Sequence, residues 1–170
     1  MGLGRLVYLI LFLSLVLIVS QAEAQVIDTI ANWDGTNVEW TIISASGEVV
    51  ENPEQLGINP SENCMEITTS NSSYDLIYTD LSQPVNFDEF PFYRLKILAP
   101  ASGGSVLLKF ENSTNTSWEE IEKTPIPGEW NDLEFDFSYV TASDIVRMVI
   151  FFDFHRDCIM GLAHLGSGFS

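Results

Sequence analysis

The 170-residue sequence predicts an all-β fold, an antiparallel β-sandwich, preceded by a short signal-peptide helix. Three observations carry that reading. Apolar and polar residues alternate at period 2 in one segment after another. Turn-forming residues separate those segments at short intervals, and no stretch of the body keeps an apolar period of 3.6.

The N-terminus comes first. Arg5 is followed by an apolar run from Leu6 to Val19. Fourteen residues make a helix of roughly 21 Å, too short for the ~30 Å core of a bilayer, and fit the apolar centre of a signal peptide. Ala22-Glu23-Ala24 then offers the small-x-small pattern that precedes cleavage, so the expected cut lies between Ala24 and Gln25. The expected organisation is a signal peptide at 1–24, one β-sandwich at 25–154 and an atypical tail at 155–170. The expected location is outside the cytoplasm: secreted, periplasmic or at the cell surface.

The strands follow in order. Val38–Ser44, Glu48–Asn52, Met65–Thr69 and Tyr74–Leu81 are short strand-like runs. Tyr93, Leu95 and Ile97 point one way while Arg94 and Lys96 point the other. Ser105–Glu111 and Glu119–Thr124 come next, and Leu133, Phe135 and Phe137 alternate with Glu134 and Asp136. Val146, Met148, Ile150, Phe152 and Phe154 form one face of a longer strand. Its other face mixes Val149 and Phe151 with Arg147 and Asp153, as a central strand would. Asp34-Gly35, Ser46-Gly47, Asn59-Pro60, Gly103-Gly104 and Pro127-Gly128 supply the reversals.

Charge and cysteines narrow the function. The formal net charge is −17, from 24 acidic and 7 basic side chains. So negative a surface repels phosphate backbones and anionic lipid, which excludes nucleic acid as a partner and leaves neutral ligands open. Cys64 and Cys158 meet an oxidising compartment, and a disulfide between them is one option.

Four segments resemble a family of exported jelly-roll modules. They are Asn52-Pro53 with Gly57-Ile58-Asn59-Pro60-Ser61, then Val106-Leu107-Leu108-Lys109-Phe110-Glu111-Asn112, then Gly128-Glu129-Trp130 with Leu133-Glu134-Phe135-Asp136-Phe137-Ser138, and last Ile150-Phe151-Phe152-Asp153-Phe154. Together they resemble galactose-binding-like, carbohydrate-binding-module-like domains of Bacteroidetes-type polysaccharide-degrading proteins. The resemblance implies a jelly roll, a glycan context and, in many such modules, structural calcium. Such modules end on a strand rich in paired acids. After Phe154 this chain has no such segment, which leads us to expect a truncated or frameshifted C-terminus and a strand left without its neighbour.

Glycan binding on a β-sandwich needs flat aromatic rings for the C–H faces of sugars, with polar groups beside them for the hydroxyls. Trp118 and Trp33 stand in polar, turn-like surroundings and are the expected stacking surfaces, whereas Trp40 and Trp130 read as core. Tyr78, Asn112, Asn115 and Glu119 are the expected hydroxyl partners. For calcium, Asp28 and Asp34 are weak candidates, oxygen donors suited to a hard cation. No Gly-x-Ser-x-Gly, His-Glu-x-x-His or phosphate loop is present, and both histidines fall in the tail. Alternating acids such as Glu120 and Glu122 ordinarily solvate a strand face. The expected function is a non-catalytic module holding neutral polysaccharide. The alternatives are a structural or adhesion component of the cell envelope, and a fragment of a polysaccharide hydrolase without its catalytic domain.

Overall fold

The computed structural model describes residues 30–35, 38–55, 57–70 and 72–153, together with the backbone of 158–160. The expected signal peptide, its expected cleavage point at Ala24 and Gln25, Asp28 and most of the tail lie outside the described residues. Those that are described contain ten strands and no helix. They are β1 (Thr41–Ile43), β2 (Ser46–Glu51), β3 (Asn63–Thr68), β4 (Leu76–Asp80), β5 (Phe92–Leu98), β6 (Ser105–Glu111), β7 (Trp118–Lys123), β8 (Trp130–Asp136), β9 (Arg147–Asp153) and β10 (Cys158–Met160).

The strands form two five-stranded antiparallel sheets, one in the order β1-β4-β9-β6-β7 and the other β2-β3-β10-β5-β8. Strands β3 to β10 therefore follow the jelly-roll order, alternating between sheets except at the β6–β7 hairpin, with β9 and β10 each set inside a sheet laid down earlier. β1 and β2 add one outer strand to each sheet. The corner between them is tight: Ser44 has φ of 60°, and the Ala45 N–H donates to the Ile43 carbonyl at 2.7 Å.

The expected end of the sandwich at 154 is corrected by β10. Cys158, Ile159 and Met160 pair with Ile67, Glu66 and Met65 of β3, and Ile159 also pairs with Leu98 of β5. The closing strand that the tail was expected to lack is present, and it is only three residues long. Three residues are too few for its sequence to show a period-2 alternation.

The core lies between the sheets and follows the alternation. Tyr93, Leu95 and Ile97 of β5 point inward, as do Val106, Leu108 and Phe110 of β6 and Met148, Ile150 and Phe152 of β9, all at most 4% exposed. Phe110 is the hub of an aromatic cluster, with its centroid 4.6 Å from Tyr93 and 5.0 Å from Phe137, the latter edge to face.

Three asparagines in or beside the family-like segments close loops at the sheet ends. Asn52 donates through Nδ2 to the carbonyls of Asn59 (2.9 Å) and Ser61 (2.8 Å). Asn131 accepts from the Ile126 N–H at 2.8 Å and donates to the carbonyls of Ile126 and Glu129. Asn112 accepts from the backbone N–H groups of Thr116 and Ser117, and donates to Thr116 Oγ1 and Asp144 Oδ2. Each pairs backbone groups of its loop that no strand ladder satisfies.

Candidate functional site

The solvent side of the β1-β4-β9-β6-β7 sheet gathers the chemistry. Antiparallel register sets its side chains in rows across the strands. One row runs Asp80, Arg147, Glu111 and Trp118; the next runs Tyr78, Val149, Lys109 and Glu120; a third runs Leu76, Phe151, Leu107 and Glu122. Residues with the opposite parity, such as Ile77, Met148, Phe110 and Ile121, face the core.

Charged groups link the two aromatic ends of this face. Arg147 Nε donates to Asp80 Oδ1 at 2.7 Å, and its Nη1 reaches Glu111 Oε1 at 3.5 Å. The guanidinium carbon lies 4.5 Å from the centre of the Tyr78 ring. Lys109 Nζ is 2.6 Å from Glu111 Oε2, with side-chain exposures of 11% and 9%, and 5.3 Å from the centre of the Trp118 ring. Asn115 Oδ1 accepts from the same ammonium at 3.0 Å. The chain has only seven Lys and Arg, and two of them lie on this face, paired with Asp80 and Glu111. The Arg147 guanidinium is held charged well beyond any working pH, first by its hydrogen bond to Asp80.

Trp118 is 49% exposed, and Tyr78 is half-buried. With strands about 4.8 Å apart, the three strand steps between them span about 14 Å, wider than one sugar ring. At the far end of the face a groove of about 320 Å3 is floored by Leu107 and Phe151 and walled by Glu120, Glu122 and Asp153. Ser105 Oγ donates to Glu122 Oε1 beside it.

Three expected site residues are placed elsewhere. Trp33 is 8% exposed and packs in the core, 6.4 Å from the Trp40 ring, so it offers no stacking face. Asn112 is 9% exposed, and its amide is committed to the 112–117 loop described above. Glu119 is on the opposite side of β7 from Trp118, because neighbouring strand residues point to opposite faces. Trp118, Tyr78 and Asn115 are brought together through Lys109, Glu111 and Arg147. The sequence reading missed these three charged residues. The signal for Arg147 was already there, in the second, partly apolar face of its strand.

Asp34 is a structural tether. Its Oδ2 accepts from the Glu62 N–H at 3.0 Å, and its Oδ1 accepts from the Asn63 N–H at 2.8 Å and from Asn63 Nδ2 at 3.1 Å. Both oxygens are engaged in pinning the N-terminal segment to β3, which does not fit a calcium ligand. Among the described residues no three His, Cys, Asp or Glu side chains lie close enough to hold a metal ion. The Cys64 thiol is free and buried, and Cys158, whose side chain is outside the described residues, has its backbone opposite Ile67 rather than Cys64. Trp130 is buried, as expected.

No protein-family model matches the chain, and no curated protein sequence matches it. Solved structures share its fold. The family 11 carbohydrate-binding module from Clostridium thermocellum, in complex with a β-1,3-1,4-mixed-linked tetrasaccharide, superposes with a TM-score of 0.61 at 12% identity, covering 88% of this chain and 98% of that one. The C-terminal family 22 carbohydrate-binding module of Clostridium thermocellum Xyn10B gives 0.53 at 13% identity, covering 81% and 89%. An exo-β-agarase gives 0.63 at 6% identity, where the match covers 86% of this chain and 26% of that one. At these identities the likeness is one of fold: this chain is built as those β-sandwich modules are built.

Proposed function

We propose that this chain is an exported, non-catalytic module that holds neutral polysaccharide on the solvent side of its β1-β4-β9-β6-β7 sheet. The observation that carries the reading is the placement of Trp118 and Tyr78 on one face, with Lys109, Glu111, Arg147 and Asp80 between them. The rings receive the C–H faces of sugars, and the charged groups and Asn115 hydrogen-bond the hydroxyls. Asp80, Glu111, Glu120, Glu122 and Asp153 outnumber the two cations, which disfavours acidic polysaccharides. The structural neighbours support the choice of ligand, one of them having been solved with a bound oligosaccharide. The four family-like segments support an origin in a Bacteroidetes-type polysaccharide-degrading system, where such a module accompanies catalytic domains.

The test is retention of the exported protein on cellulose, mixed-linked β-1,3-1,4-glucan, xylan, β-1,3-glucan and agarose, with Trp118→Ala beside the native chain. Retention on at least one polymer, reduced about tenfold or more in Trp118→Ala, is the expected result. A folded protein retained by none of them would turn the reading toward a structural or adhesion component with a protein partner.

A further inference from the structure

The ligand face continues sideways into a cleft. β1 pairs with β4 only as far as Thr41 opposite Tyr78, so Thr79 and Asp80 lie beyond the end of that pairing. The loop after β4 is drawn the other way, since Leu81 and Val85 donate their N–H groups to the carbonyls of Val146 and Ile145. Between this loop and residues 38–41 opens a cleft of about 940 Å3, within the range of small-molecule sites. Tyr93, Phe110 and Met148, each at most 4% exposed, form its base and close it toward the core. Tyr78 and Asp80 belong both to its lining and to the ligand face, and Ser82, Gln83 and Asn86 line its loop side.

We propose that this cleft is a second carbohydrate subsite, one that takes the terminal unit of a glycan lying on the sheet face. The inference rests on the glycan-binding reading above and adds to it a preference for chain ends. The lining has the mixture a pyranose requires: aromatic surface from Tyr78, and hydroxyl, amide and carboxylate groups from Ser82, Gln83, Asn86 and Asp80. The closed base supplies the selectivity. A chain that leaves the sheet face for this cleft meets packed core side chains at its base, an arrangement that favours a unit with a free end. Arg147 joins the two parts, because it holds Asp80 by a hydrogen bond and lies over Tyr78.

The experiment takes the polymer retained in the panel above and compares it intact and after limited hydrolysis to about a tenth of its chain length. Exported native protein, Ser82→Trp and Trp118→Ala are titrated against equal masses of each. If ends are bound, saturating capacity per gram rises about tenfold on hydrolysis, and Ser82→Trp, which fills the mouth from an exposed position, weakens binding about tenfold or more. Gln83→Trp repeats the block should Ser82→Trp unfold. Capacity indifferent to hydrolysis, with both blocking variants binding as the native chain does, overturns the subsite. If Trp118→Ala still abolishes that binding, the module reading stands without it. Retention on no polymer at all overturns both.

Discussion

The Lys109 ammonium sits 5.3 Å from the centre of the Trp118 ring and holds one face of the indole. The same ammonium is paired with Glu111, which is almost fully enclosed. Lys109 therefore both positions the exposed ring and neutralises a carboxylate that water reaches poorly. Lys109→Met leaves Glu111 with only the longer Arg147 contact, and we expect a loss of about 3 kcal/mol in urea unfolding. The double variant Lys109→Met/Glu111→Gln should recover most of that loss. Additive effects in the cycle would show that the two residues act independently.

Asn112 supports the site at one remove. Asn112→Ala strips acceptors from two backbone N–H groups and leaves Asp144 without its amide partner. Unfolding measurements should show a cost of about 1–3 kcal/mol. Glycan affinity, measured well below the unfolding transition, should fall less than in Trp118→Ala. An equal or greater fall would place Asn112 against the ligand itself.

The two tryptophans should separate cleanly. Trp33→Ala empties core volume and should destabilise by about 3–5 kcal/mol, with glycan affinity of the folded fraction unchanged. Trp118→Ala should do the reverse, leaving stability within about 1 kcal/mol. Paired calorimetric melts and polymer titrations check both variants.

Cys64 provides a pH test. Burial, reinforced by Glu66 and Asp34, pushes its thiol from 9.0 up to about 11. The unfolded chain thus loses this proton first as pH rises, and the contribution of Cys64 to stability is complete below about pH 9 and lost through about pH 11. Cys64→Ala should flatten the fall in stability across that window. Alkylation mapped to Cys64 by mass spectrometry should be slow in the native protein at pH 8 and fast in denaturant.

Much of the fold was legible because a half-buried strand writes its geometry into alternate residues. Leu95 and Ile97 against Arg94 and Lys96 announce β5, and Leu133 and Phe135 against Glu134 announce β8. The family-like asparagines were legible as pattern but not as purpose, since their partners across the loops emerge only in three dimensions. Trp33 misled for a related reason. It precedes Asp34-Gly35 and has φ of 57°, all local marks of an exposed turn. It is buried by packing in the core against Trp40, in a segment that Asp34 ties to Glu62 and Asn63 far along the chain. Glu119 is a different case: strand parity alone sets it opposite Trp118. The meeting of Tyr78 with Trp118 depends on β9 and β6 lying between them, a register that no local spacing reveals. β10 escaped notice because three residues are too few to show a period.

The position of β9 and β10 bears on how the molecule comes into being. Each of these last strands lies in the middle of its sheet, between partners made much earlier: β4 and β6 for β9, β3 and β5 for β10. One sheet is discontinuous until β9 is in place and the other until β10 is, and before then β4, β6, β3 and β5 present unmatched hydrogen-bonding edges. Contacts of such long sequence separation form slowly, so the incomplete chain passes through a lengthy interval in which its neighbours are a hazard. Completion by two late strands ties the whole sandwich to their arrival: a chain halted before Cys158 lacks the strand that joins β3 to β5, however well its earlier hairpins have formed.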